Sequence, residues 1–139
     1  MKSKKINGGY IIKLEKDEKI IESLTKFLEE KQIKNGFFVG LGALSKVELA
    51  LYRLKDKKYF FKEFEEALEI SSLHGNVFLK EGKPFIHVHI VVSDENMITK
   101  GGHLKEAIVS ATCEIIFIEF SGEIKKEYSE EIGLWLLDI

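Results

Sequence analysis

The sequence predicts an α+β domain, a mainly antiparallel, strongly curved β-sheet with one main α-helix near the N-terminus. Three observations carry this reading. Only one segment, between Asp17 and Lys34, repeats apolar residues at helical spacing. Most of the remaining chain alternates apolar and polar residues with the period of two that marks strands. Several of those strands lack a polar side, so the sheet must curl on itself or be covered by another subunit.

The elements follow in order. Gly9 to Leu14 reads as a first strand. Asp17 suits an N-cap, Ile20, Ile21, Leu24, Phe27 and Leu28 form one apolar stripe, and Asn35-Gly36 is a natural stop. Phe37 to Val39 is a short strand running into Gly40-Leu41-Gly42, a turn or bulge; Lys46 to Leu54 and Tyr59 to Phe61 are further strands. Leu68 to Leu79 alternates again, with His74-Gly75 marking a turn or bulge inside it. Gly82-Lys83-Pro84 turns the chain into Phe85 to Val92, and Ser93 to Asn96 is a loop. Ile108 to Phe120 is rich in β-formers, and Gly133 to Leu137 closes the chain. One early helix followed by strands in meander order completes the prediction.

Composition sets bounds on function. At 139 residues, without a Pro-, Gly- or Ser-rich linker, residues 1–139 read as one domain. Cys113 is the only cysteine, which rules out an internal disulfide and suits a reducing compartment. The basic start, Met1 to Lys5, leads into Ile6-Asn7-Gly8-Gly9 rather than an apolar core, and no apolar run reaches the ~20 residues of a membrane span. The expected location is the cytoplasm, with no membrane partner. A net charge of −2 gives nucleic-acid binding no support, because neutralising phosphates requires a basic surplus.

The chemistry concentrates in three of the four histidines. In Phe85-Ile86-His87-Val88-His89-Ile90 the alternation places His87 and His89 on one strand face, their Cα atoms roughly 6.5 Å apart. Alone, such a pair fits satisfied strand histidines better than a metal site. His103 changes the balance: it follows Gly101-Gly102, which let the backbone turn tightly and approach a neighbouring strand. Three imidazoles with one position open are the donor set of a catalytic rather than a structural zinc site. Glu69 and Glu114 interrupt apolar strands; each is a candidate catalytic carboxylate beside the imidazoles or an outward-facing charge. Gly40-x-Gly42 lacks the remainder of any phosphate-binding fingerprint, no serine has the flanks of a nucleophile elbow, and Cys113 reads as a buried thiol. No organic cofactor is indicated.

Four motifs in one order add a resemblance: Gly40-Leu-Gly-Ala-Leu-Ser45, Leu68-Glu-Ile-Ser-Ser-Leu-His-Gly-Asn76, Gly82-Lys-Pro84 before His87-Val-His89, and Gly101-Gly-His-Leu104. From about Gly9 to Phe120 the chain resembles the plants-and-prokaryotes-conserved (PPC) domain, in its stand-alone prokaryotic form. The resemblance implies a homotrimer and a metal site, usually zinc, at His87, His89 and His103. It also implies a fold similar to that of acetolactate decarboxylase. Prokaryotic members often carry a DNA-binding label, whereas the Arg-Gly-Arg-Pro core of the plant members' DNA-binding segments does not occur in this chain. Two functions follow as expectations. One is a three-histidine metal protein acting on a small molecule as a lyase or hydrolase; the other is a DNA-associated regulatory protein whose metal is structural.

Overall fold

Strand-period alternation governs almost the whole chain. The computed structural model describes residues 1–139 and runs β1 (Lys2–Ile6), β2 (Gly9–Glu15), α1 (Ile20–Lys31), β3 (Gly36–Arg53), β4 (Lys58–Phe64) and β5 (Leu68–Lys80). It continues with β6 (Lys83–Ser93), β7 (Thr99–Glu119), β8 (Lys125–Ser129) and β9 (Leu134–Asp138). The α+β class, the antiparallel dominance and the single helix agree with the sequence reading. No helix is long and apolar enough to cross a membrane.

The curvature has a definite origin. Strands β3 and β7 are 18 and 21 residues long. Held straight, the shorter would span about 60 Å, far beyond a domain whose expected radius of gyration is ~14 Å. They bend instead at register shifts between Gly40 and Gly42, Gly42 and Leu44, Leu44 and Lys46, and Glu48 and Leu49. Bending brings β6 against both β5 and β7, while β3 also pairs with β5 and β7. The four strands close a hydrogen-bonded ring, β3–β5–β6–β7, with its apolar side chains inside. Meander order fails for the same reason, since β7 is long enough to pair with β3 along most of one side and with β6 and then β2 along the other. The separate strands expected around Gly40-x-Gly42 are one bulged strand, β3.

Helix α1 packs against β6 and β7 through Ile20, Leu24, Phe27 and Leu28, all fully buried. Each contributes about 2 kcal/mol of burial, and Phe27 meets Tyr10 edge-on at 5.1 Å.

Both helix ends differ from expectation. Asp17 adopts a positive φ of 68° and does not cap; the helix starts after Lys19, whose side chain makes no capping bond. The cap comes from a distant strand: the Glu106 carboxylate accepts from the N–H groups of Ile21 at 2.8 Å and Glu22 at 3.2 Å. A carboxylate there also complements the positive end of the helix dipole. At the other end Gln32, at φ 57°, closes the helix three residues before Asn35. Asn35 is buried and serves a different purpose. Its amide donates to the Gly122 carbonyl and its oxygen accepts from the Ile124 N–H, fastening the approach to β8.

Removing the Glu106 cap by Glu106→Ala is expected to destabilise the protein by about 1–2 kcal/mol, read as a lower denaturant midpoint, whereas Asp17→Ala is expected to cost far less.

Candidate metal centre

The closed ring fixes where the histidines point. Along β6, Val88 and Ile90 are 2% and 0% exposed in the core, so His87 and His89 face outward from it. Pairing then assembles the site. His89 lies opposite His74 on β5 and opposite His103 on β7, and His87 lies opposite Asn76. Cross-strand partners share a face, so these side chains converge. Gly101 and Gly102 make the third strand fit. A Cβ on Gly102 would stand 2.9 Å from the Ala50 carbonyl oxygen, and one on Gly101 3.0 Å from that of Ile90. The close approach expected of these glycines is present; the tight turn is not, because β7 runs straight through them.

The three rings form a near-equilateral triangle, with centroids 5.3, 5.4 and 5.7 Å apart. One ring nitrogen from each lies within 4.8 Å of the others. A tetrahedral ion with Zn–N distances near 2.1 Å wants its nitrogens about 3.4 Å apart, so side-chain rotation of roughly an ångström closes the set.

Electrostatics favours the same state. Burial is the main cause that lowers the pKa of each imidazole. Lys126 and His89 lower His87 further, and His74 lowers His89 further. His103 is pushed down to about 4, with His87, His89 and Lys105 adding to the effect of burial. Neutral imidazoles keep the lone pairs a metal needs. The buried Nδ1 of His103 has no hydrogen-bond partner, an orphaned polar atom next to a donor set that suits a divalent ion.

The remaining candidates fall elsewhere. Glu69 is exposed and pairs with Ser93 and Ala43; Glu114 is exposed and pairs with Lys13 and Leu41. Neither lines the two cavities that the histidines line, so the structure does not bring either carboxylate to the imidazoles. Their strand positions made them outward-facing charges. His74 is exposed within continuous β5, not in a turn, and stays outside the triad. Cys113 is fully buried and free, its thiol pushed up to about 12 by burial.

Sequence reasoning missed the surround. The Tyr59 ring packs 5.2 Å from His103, and burial raises its phenol pKa. Asn76 has a buried side-chain oxygen without a partner, and Lys126 and Trp135 reach the same cavity from β8 and β9. The Asn76–His87 register is the kind of signal that could have placed Asn76; nothing local marks the others.

Comparison with known proteins agrees with this fold. The profile of the Plants and Prokaryotes Conserved domain matches residues 1–121. A crystal structure of a protein from Bacteroides thetaiotaomicron, named as a candidate DNA-binding protein, is 32% identical with a TM-score of 0.96, covering 99% of this chain and 96% of that one. A metal-containing protein from Archaeoglobus fulgidus is 34% identical with a TM-score of 0.88, covering 94% and 93%. Acetolactate decarboxylase from Bacillus subtilis shares the fold, at 15% identity and a TM-score of 0.56, over 83% of this chain and 54% of that one. No curated protein gives a significant match.

A histidine whose pKa is lower folded than unfolded binds its proton more readily in the unfolded chain. The stability it contributes is therefore present above pH ~6.5 and is lost as the pH falls toward the folded value near 4. Metal-free protein should lose denaturant resistance between pH 7 and 5, and His103→Asn should flatten that dependence.

Proposed function

The chain belongs to the Plants and Prokaryotes Conserved domain family, and on that footing we propose a homotrimeric metalloprotein that acts on a small molecule. In this reading His87, His89 and His103 hold one divalent ion, Zn²⁺ being the best match to three imidazoles. The observation that carries the reading is the convergence of three neutral ring nitrogens within 4.8 Å beside an unsatisfied buried Nδ1. A relative 34% identical is itself named as metal-containing.

A divalent ion bound there supplies Lewis-acid polarisation of an oxygen on a small molecule, the chemistry of hydrolases and lyases. The chain's own residues set the conditions for it. Uncharged imidazoles leave the ion's positive charge undiminished, and three protein donors leave one position for a ligand. Tyr59, packed against His103, holds a proton that it can give to or share with that ligand. Glu69 and Glu114 have no part in this reading.

Self-association has its own support. Ile11, Phe37, Val39, Leu41 and Ile116 are each at least 40% exposed, and register joins them into one apolar face across β2, β7 and β3. A patch of that kind marks an interface. The face is continuous with the histidines: Ile11, Ile116, Val39, His74, His89 and His103 are successive cross-strand partners.

The second reading, a DNA-associated protein with a structural metal, has the names of relatives behind it. Charge weighs against it, since the net is −2. Retention of an A·T-rich duplex at low salt that collapses on adding salt would restore it.

Protein purified without chelator or affinity tag should carry one metal per chain by elemental analysis, and the triple His→Ala variant should carry none while remaining folded. Its mass in solution should be about three times the 15.9 kDa of one chain, and Leu41→Asp should shift it toward the single-chain value.

A further inference from the structure

Beside the histidines lies a cavity of about 430 Å³ walled on one side by the β8–β9 hairpin. That hairpin lies beyond the residues matched by the family profile. It is nonetheless firmly seated. Asn35 fastens its approach, and the Leu79 N–H donates to the Ile124 carbonyl at 3.0 Å. The Tyr52 hydroxyl donates to the Ile132 carbonyl at 2.6 Å, and the Lys57 ammonium to that of Glu130 at 2.6 Å.

The lining is unbalanced in charge. Lys80 and Lys126 both reach it, no Asp or Glu does, and neither lysine enters any ion pair of the molecule. The Lys126 ammonium has only the Trp135 carbonyl, at 3.4 Å, and the Phe85 ring, 5.7 Å from its centroid. Lys80 sits 4.8 Å from the Trp135 centroid and 5.2 Å from that of Phe85. Aromatic faces hold a cation weakly and neutralise nothing. A divalent ion on neutral imidazoles would add to the surplus. Cations gathered in a partly desolvated cavity attract an anion strongly.

The ligand must also have an apolar part, because Phe85, Leu134 and Trp135 line the same space. Asn76 also lines the cavity, and its buried side-chain oxygen has no hydrogen-bond partner.

We propose that this cavity binds a small organic carboxylate, its charged end held by Lys126 and Lys80 and its apolar body against Trp135 and Phe85. The proposal names a substrate class for the metal site and rests on that reading for one of its three cationic groups. The volume falls within the range of small-molecule sites.

Benzoate, neutral benzamide and inorganic phosphate are the probes, titrated calorimetrically into Zn²⁺-loaded and metal-stripped protein. Wild type is expected to bind benzoate in both forms, more tightly with Zn²⁺, and benzamide and phosphate at least about tenfold more weakly. Lys126→Gln should weaken benzoate by about tenfold or more in both forms with unchanged zinc content, and Lys126→Arg should restore most of the loss. Equal benzoate affinity in wild type and Lys126→Gln, or phosphate or benzamide binding as well as benzoate, would overturn the proposal. Failure to take up zinc would instead overturn the metal reading, while the Lys126 dependence in stripped protein still decides the carboxylate site.

Discussion

Antiparallel register between β5, β6 and β7 is the constraint on which everything else depends. It places His74, His89 and His103 in one row and Asn76 beside His87. A slip of one residue would turn the imidazoles of β6 into the core and Val88 and Ile90 out to solvent. Closure of β3–β5–β6–β7 into a ring prevents the slip, because each strand is held on both sides. The bulges that bend β3 and β7 are therefore part of the site's construction.

Much of this was legible because it is local and periodic. The alternation around His87-Val88-His89 fixed which side chains share a face, and the glycines before His103 signalled close strand approach correctly. The stripe of Ile20, Leu24, Phe27 and Leu28 identified the helix. What failed to show was long-range. Glu106 caps the helix from a strand 85 residues away in sequence from Ile21, so no local cap signal exists. Gly40-x-Gly42 looked like a break because bulging and turning demand the same residue. Glu69 and Glu114 drew notice as charges in apolar strands, yet a two-residue period gives such a charge a solvent face without any catalytic role. Lys126 and Trp135 were invisible as site residues, since only the folded-back C-terminal hairpin brings them to the histidines.

The site's electrostatics follows from the same placement. Burial holds the imidazoles neutral, and the carboxylates stay away from them. Around the pocket the fixed charges are cationic and unpaired. A domain with slight negative net charge thus keeps a positive pocket at its one cluster of metal-donor side chains.

Anomalous diffraction at the zinc edge from crystals of metal-loaded protein shows directly whether the three histidines hold the ion. A single peak is expected between His87, His89 and His103, with three imidazole nitrogens at about 2.1 Å and a non-protein fourth ligand facing Lys126. A peak elsewhere, no peak at all, or a fourth ligand supplied by a protein side chain would contradict it.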